Sequence, residues 1–168
     1  MEPIGDRNIP IVLQNGICGG IVLKLLNETG RYGKFSSVQP GVALVELEAM
    51  IQKNNNLSVV REVPSIVVNS VIKRKSDGFL VLYGEREGGH VVAFIINAAG
   101  ELILYEPNSD TQRLDMFRVK ADATPPTFLA DFQKYFPLYA IAAAYFISNR
   151  KIGGRRKTRK RKTRKHRR

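Results

Sequence analysis

Cys18 is the only cysteine in the chain, and His90 is the only histidine outside a basic C-terminal stretch. A thiol and an imidazole are the pair that thiol-dependent hydrolysis requires. The thiolate attacks a carbonyl, and the imidazole first protonates the leaving group and then activates water. A free cysteine has a pKa of about 8.5, and a helix N-terminus with a nearby imidazolium lowers it by several units. Cys18 lies in Gln14-Asn15-Gly16-Ile17-Cys18-Gly19-Gly20, directly before an apolar helical pattern, so a helix dipole falls on it. Its own N–H can face a developing oxyanion, and Gln14 or Asn15 offers a side-chain amide as the second donor. Gly19 and Gly20 carry no side chains to obstruct a substrate backbone there.

His90 opens the apolar run His90 to Ile96. The chain turns through Asn97-Ala98-Ala99-Gly100, returns as Glu101 to Tyr105, and ends in Glu106-Pro107-Asn108-Ser109-Asp110. This pattern predicts a hairpin with a four-residue loop that pairs Ile96 with Glu101 and sets His90 opposite Pro107. Glu106 and Asn108 are then its cross-strand neighbours. Either can accept from an imidazole N–H and hold the tautomer, the task of the third member of a catalytic triad. Each feature alone has a plain structural explanation. A lone cysteine packs as a small hydrophobe, and Tyr-Glu-Pro-Asn ends strands in many proteins. The co-occurrence of the only thiol at a helix start and the only body imidazole on such a hairpin favours a site.

The elements that must position these groups follow from periodicity. Pro10 to Leu13 reads as a short strand or lead-in. Cys18 to Glu28 reads as a helix with Ile21, Val22, Leu25 and Leu26 on one face and a stop at Gly30. Val42 to Gln52 reads as a second helix, and Leu57 to Val63 as a strand. Ser65 to Lys75 suits either state. Phe79 to Tyr83 reads as a buried strand, Leu114 to Val119 as another, and Pro126 to Phe136 as a helix. Ala140 to Ile147 is apolar throughout, and strand and buried helix both fit it. Helices first and strands later indicate an α+β fold.

At these residues the chain resembles papain-like cysteine peptidases, especially their compact bacterial staphopain-like and Yersinia effector-like forms. Asn15-Gly16-Ile17-Cys18-Gly19-Gly20 leading into Ile21 to Leu26 is similar to their nucleophile helix. Gly89-His90-Val91-Val92-Ala93 with Tyr105-Glu106-Pro107-Asn108 is similar to their histidine strand and the following turn. The resemblance covers roughly residues 10–110. It implies an α+β fold in which the helix carrying Cys18 packs on an antiparallel sheet carrying the His90 hairpin. It implies Cys18 as nucleophile, His90 as base, Glu106 as the orienting acid with Asn108 as its substitute, and Gln14 near the oxyanion. Glu106 stands where those families more often have Asp, Gln14 lies closer to the cysteine than their pattern has it, and no Trp follows Cys18. The implied activity is hydrolysis of peptide or isopeptide bonds. A viral precursor or a ubiquitin-like conjugate is a candidate substrate.

Charge divides the chain in two. Of its 27 Lys and Arg, 13 fall between Arg150 and Arg168, where there is no Asp or Glu; the body keeps 14 against 15 acidic residues. Residues 1–149 are therefore expected to form one near-neutral catalytic domain, and 150–168 a disordered polybasic tail. Residues 155–168 contain no apolar side chain, and this stretch suits nucleic acid or another polyanion by counterion release. Without aromatics to stack on bases it has no means of sequence specificity. Gly153-Gly154 reads as a hinge, with a peptidase cleavage site as the other reading. The pair followed by a Lys/Arg/Thr tail is similar to the C-termini of many nucleocytoplasmic large DNA virus proteins. That implies a host cytoplasmic or nuclear location, with packaging into a virion as a further option. The second functional reading is accordingly a non-enzymatic structural or packaging protein whose tail binds nucleic acid. One cysteine forms no internal disulfide, and four Cys/His ligands for a zinc site do not exist. No cofactor is expected. Met1 to Arg7 lacks a basic region followed by an apolar stretch, so no secretory signal is expected. Phe136 to Ile147 is about a dozen residues against the roughly 20 of a membrane span.

Overall fold

A computed structural model describes residues 1–8, 18–35, 43–86, 88–108 and 113–150. Among these residues seven strands form one sheet: β1 (Glu2–Asn8), β2 (Asn55–Val60), β3 (Gly78–Gly84), β4 (Gly88–Ile96), β5 (Leu102–Asn108), β6 (Arg113–Arg118) and β7 (Ala140–Asn149). Their order is β1-β6-β5-β4-β3-β7-β2, and every neighbouring pair is antiparallel. The helices of the described residues are α1 (Cys18–Thr29), α2 (Leu44–Gln52), α3 (Pro64–Arg74) and α4 (Pro125–Tyr135).

Side chains alternate across a strand, so one strand can feed two cores. In β4, Val91, Ala93 and Ile95 join Ile21, Val22, Leu25 and Leu26 of α1 and Leu47 and Ile51 of α2. Val92 and Phe94 point the other way, to Val67, Val68 and Val71 of α3 and Phe128 and Phe132 of α4. The sheet is thus covered by helices on both faces. This is why its central strands read as continuous apolar runs rather than alternating ones.

The fold is mixed α/β, with strands and helices interleaved rather than helices first. The chain opens with β1, which sequence periodicity does not signal. It is an edge strand, Glu-Pro-Ile-Gly-Asp-Arg-Asn, mostly exposed and shifted in register between Pro3 and Gly5. Gly5 supplies the positive φ of +123° there. The expected strand at Pro10–Leu13 lies outside the described residues. The two open segments resolve in opposite directions. Residues 64–74 are a helix, because Pro64 starts it and Val67, Val68 and Val71 are fully buried along one stripe. Residues 140–149 are a strand, held between β3 and β2.

Two features fix α1 over the sheet and β7 within it. Beyond the C-terminal end of α1, Arg31 Nη2 and Tyr32 Oη donate to the buried Asp77 carboxylate at 2.9 and 3.0 Å, and the same carboxylate accepts from the Ile96 N–H at 2.8 Å. Opposite, β7 passes so close to β3 that a Cβ on Gly78 would lie 1.9 Å from the Tyr145 carbonyl oxygen and 2.6 Å from the Phe94 ring. Among the described residues, no helix is long and apolar enough to cross a membrane.

Candidate functional site

The β4–β5 hairpin is closed differently from the expected four-residue loop. The Asn97 N–H donates to the Glu101 carbonyl at 2.9 Å. The Asn97 side-chain oxygen accepts from the N–H groups of Ala99 and Glu101 at 3.0 and 2.9 Å. Gly100 takes the positive φ of +79°. The loop therefore spans five residues, and Ile96 pairs with Leu102 rather than Glu101. A one-residue change of register moves a side chain to the other face. Extended to the open end of the hairpin, the observed register aligns His90 with Asn108, not Pro107, and gives Glu106 the same face as His90. The expected register would have turned them apart.

At this end of the sheet β4 begins, β5 ends and β7 begins. The His90 Nε2 lies 2.8 Å from Glu106 Oε1, with both side chains mostly buried, 13% and 16% exposed. The Cys18 thiol acts on the same ring, by a hydrogen bond and by charge. Cys18 is the first residue of α1 and is half-buried. The backbone N–H groups of Gly19 and Val91 also act on its sulfur. The helix end and the strand start thus meet over one atom. The Tyr139 ring, just ahead of β7, sits 5.2 Å from the His90 ring at a 33° tilt.

The electrostatics follow from these contacts. Burial pushes the Cys18 thiol up, but the His90 hydrogen bond and charge, with the two backbone N–H groups, outweigh it and hold the thiol below its ordinary range. Burial pushes His90 down, and its bonds to Cys18 and Glu106 overcome that, raising it to about 10. The favoured pair is therefore thiolate and imidazolium. Glu106 is raised above the usual carboxylate range: burial dominates, His90 opposes it, and the charge of Asp115 adds to it. Its second oxygen, Oε2, is buried without a hydrogen-bond partner among the described residues.

Of the five residues singled out in the sequence, Cys18, His90 and Glu106 come together. Asn108 ends β5 opposite Arg113, but its side chain lies outside the described parts. Gln14 lies outside the described residues. Tyr139 and Asp115 were not signalled by the sequence. They reach the site only through the β7–β3 and β5–β6 pairings, which join segments far apart in the chain. Among the described residues, no three His, Cys, Asp or Glu side chains are grouped to hold a metal ion.

No family model and no curated protein matches this sequence. Among solved structures, the crystal structure of the Pseudomonas avirulence protein AvrPphB is similar, with a TM-score of 0.52 over 86% of this chain and 96% of that one. The two share 15% of their residues, so the likeness is one of fold. It lends nothing to a viral source.

Proposed function

We propose that this chain is a thiol-dependent peptidase with a papain-like arrangement, hydrolysing peptide or isopeptide bonds. The observation that carries the reading is the grouping of Cys18, His90 and Glu106: a thiol at a helix N-terminus, coupled by hydrogen bond and charge to an imidazole whose Nε2 is held 2.8 Å from a mostly buried carboxylate. The likeness in fold to a bacterial avirulence protein is in keeping with the resemblance of the sequence to compact bacterial peptidases.

In this reading the Cys18 thiolate attacks the scissile carbonyl carbon, and the carbonyl oxygen takes the negative charge. The Cys18 N–H and the side chain of Gln14 serve as the donors to that oxyanion. The His90 imidazolium gives a ring proton to the leaving amine, the C–N bond breaks, and a thioester remains on Cys18. Neutral His90 then takes a proton from water, whose oxygen attacks the thioester. The carboxylic acid leaves, and Cys18 returns as thiolate beside imidazolium. Glu106 holds the ring in one tautomer and stabilises its charged form, with Asn108 as the substitute in that role.

The test uses the whole chain and a mixed peptide library analysed by mass spectrometry between about pH 5 and 9. The wild type is expected to cleave, and Cys18→Ala and His90→Ala to lose cleavage by about 1000-fold or more. Equal cleavage by Cys18→Ala, or none by the wild type at any pH, overturns the reading.

A further inference from the structure

Three carboxylates lie in one row across three adjacent strands. In the β1–β6 ladder Asp6 stands opposite Asp115, and in the β6–β5 ladder Asp115 stands opposite Glu106. Directly opposed residues share a face, with Cβ atoms about 5 Å apart, and like charges placed so are unfavourable. The outermost member is neutralised, since Asp6 pairs with Arg113 from the same face of β6. The innermost, Glu106, spends Oε1 on His90 and leaves Oε2 buried without a partner among the described residues. The charges acting on Glu106 are His90 from β4, which favours its ionised form, and Asp115 from β6, which opposes it. Cys18 of α1 bears on it through the His90 ring, and the Tyr139 ring packs against the same imidazole.

We propose that Asp115, opposite Glu106 in the neighbouring strand, is a positioning residue that sets the lower pH edge of the activity by its charge. The inference rests on the peptidase reading above. Glu106 holds and stabilises imidazolium only as carboxylate. When it takes up a proton, the imidazolium loses the negative charge that stabilises it, and the imidazolium proton passes to the Cys18 sulfur, leaving neutral thiol and imidazole. Because Asp115 disfavours a second negative charge beside it, that loss comes at a higher pH than it would without Asp115. Asp115 does not touch reacting atoms; it acts through Glu106.

The experiment compares wild type, Asp115→Asn and Asp115→Glu in full-chain form, by the pH profile of kcat/KM and by the NMR titration of the His90 ring. In Asp115→Asn the acid limb is expected to move down by about half a unit to one unit, a gain at the foot of the limb of about three- to ten-fold relative to its own plateau. The acid inflection seen at His90 moves with it. Asp115→Glu, which keeps the charge, holds the wild-type edge. An unmoved limb in an active Asp115→Asn, whatever its plateau, overturns the proposal and leaves the peptidase reading standing. An inactive wild type whose His90 inflection still moves in Asp115→Asn defeats the peptidase reading but keeps the charge coupling. An immobile His90 inflection defeats the coupling itself.

Discussion

At the scale of residues, three side chains from three elements divide one task. Cys18 alone, half-buried at a helix end, would be a weak nucleophile at neutral pH, because burial works against its charge. The imidazolium reverses that balance. The sign of the pH dependence follows. With the thiol lowered, thiolate persists below the ordinary range of about 8.5, and the ion pair survives upward until His90 gives up its proton near 10. The pH profile of Cys18 alkylation by iodoacetamide is therefore expected to have its inflection at a lower pH in the wild type than in His90→Ala, where the thiol loses its partner charge. Coincident profiles in the two proteins would show that the imidazole does not control the thiol. Because this is the only cysteine in the chain, the measurement needs no correction for other thiols.

At the scale of elements, the site depends on how closely helix and strands approach. Gly78→Ala places a methyl group against the Tyr145 carbonyl and the Phe94 ring, where backbone cannot yield cheaply. We expect a loss of about 3 kcal/mol, read as a fall in melting temperature of roughly 6–12 °C. A change under 2 °C would mean that β7 and β3 separate more easily than their packing indicates. The same elements show what sequence could and could not display. The apolar faces of α1 and of the central strands are legible, because Ile21, Val22, Leu25 and Leu26 recur at helical spacing and Val91 to Ile95 are buried on both faces. Edge strand β1 was not, because a polar strand carrying Pro and Gly has no periodicity to read. The hairpin loop is one residue longer than its sequence suggests, because Asn97 closes it through its side chain, and that step decides which face Glu106 takes. Residues 65–75 were open because Val and Ile favour strands locally, while burial against the sheet selects the helix. Asp115 and Tyr139 carry no local signal at all; only tertiary pairing brings them in.

At the scale of the whole molecule, the candidate site and Arg150, the last described residue, belong to opposite ends of the sheet. Leu82 pairs with both His90 and Ile141, so β7 starts beside the site; its last residue, Asn149, pairs with Asn55 of β2 at the far end. Removing residues 152–168 is therefore expected to leave hydrolysis of a short peptide within about two-fold of the full chain, while polyanion binding falls away. In the full chain, binding to a DNA duplex should weaken with salt at a log–log slope of about −0.9 per phosphate neutralised. Loss of peptide hydrolysis on truncation would tie the basic segment to the chemistry. The direction of β7 has one more consequence. Ten strand residues carry the chain about 30 Å along the sheet, away from the end where His90 lies. A label attached at Asn149 therefore reports on the far edge of the sheet without crowding the thiol.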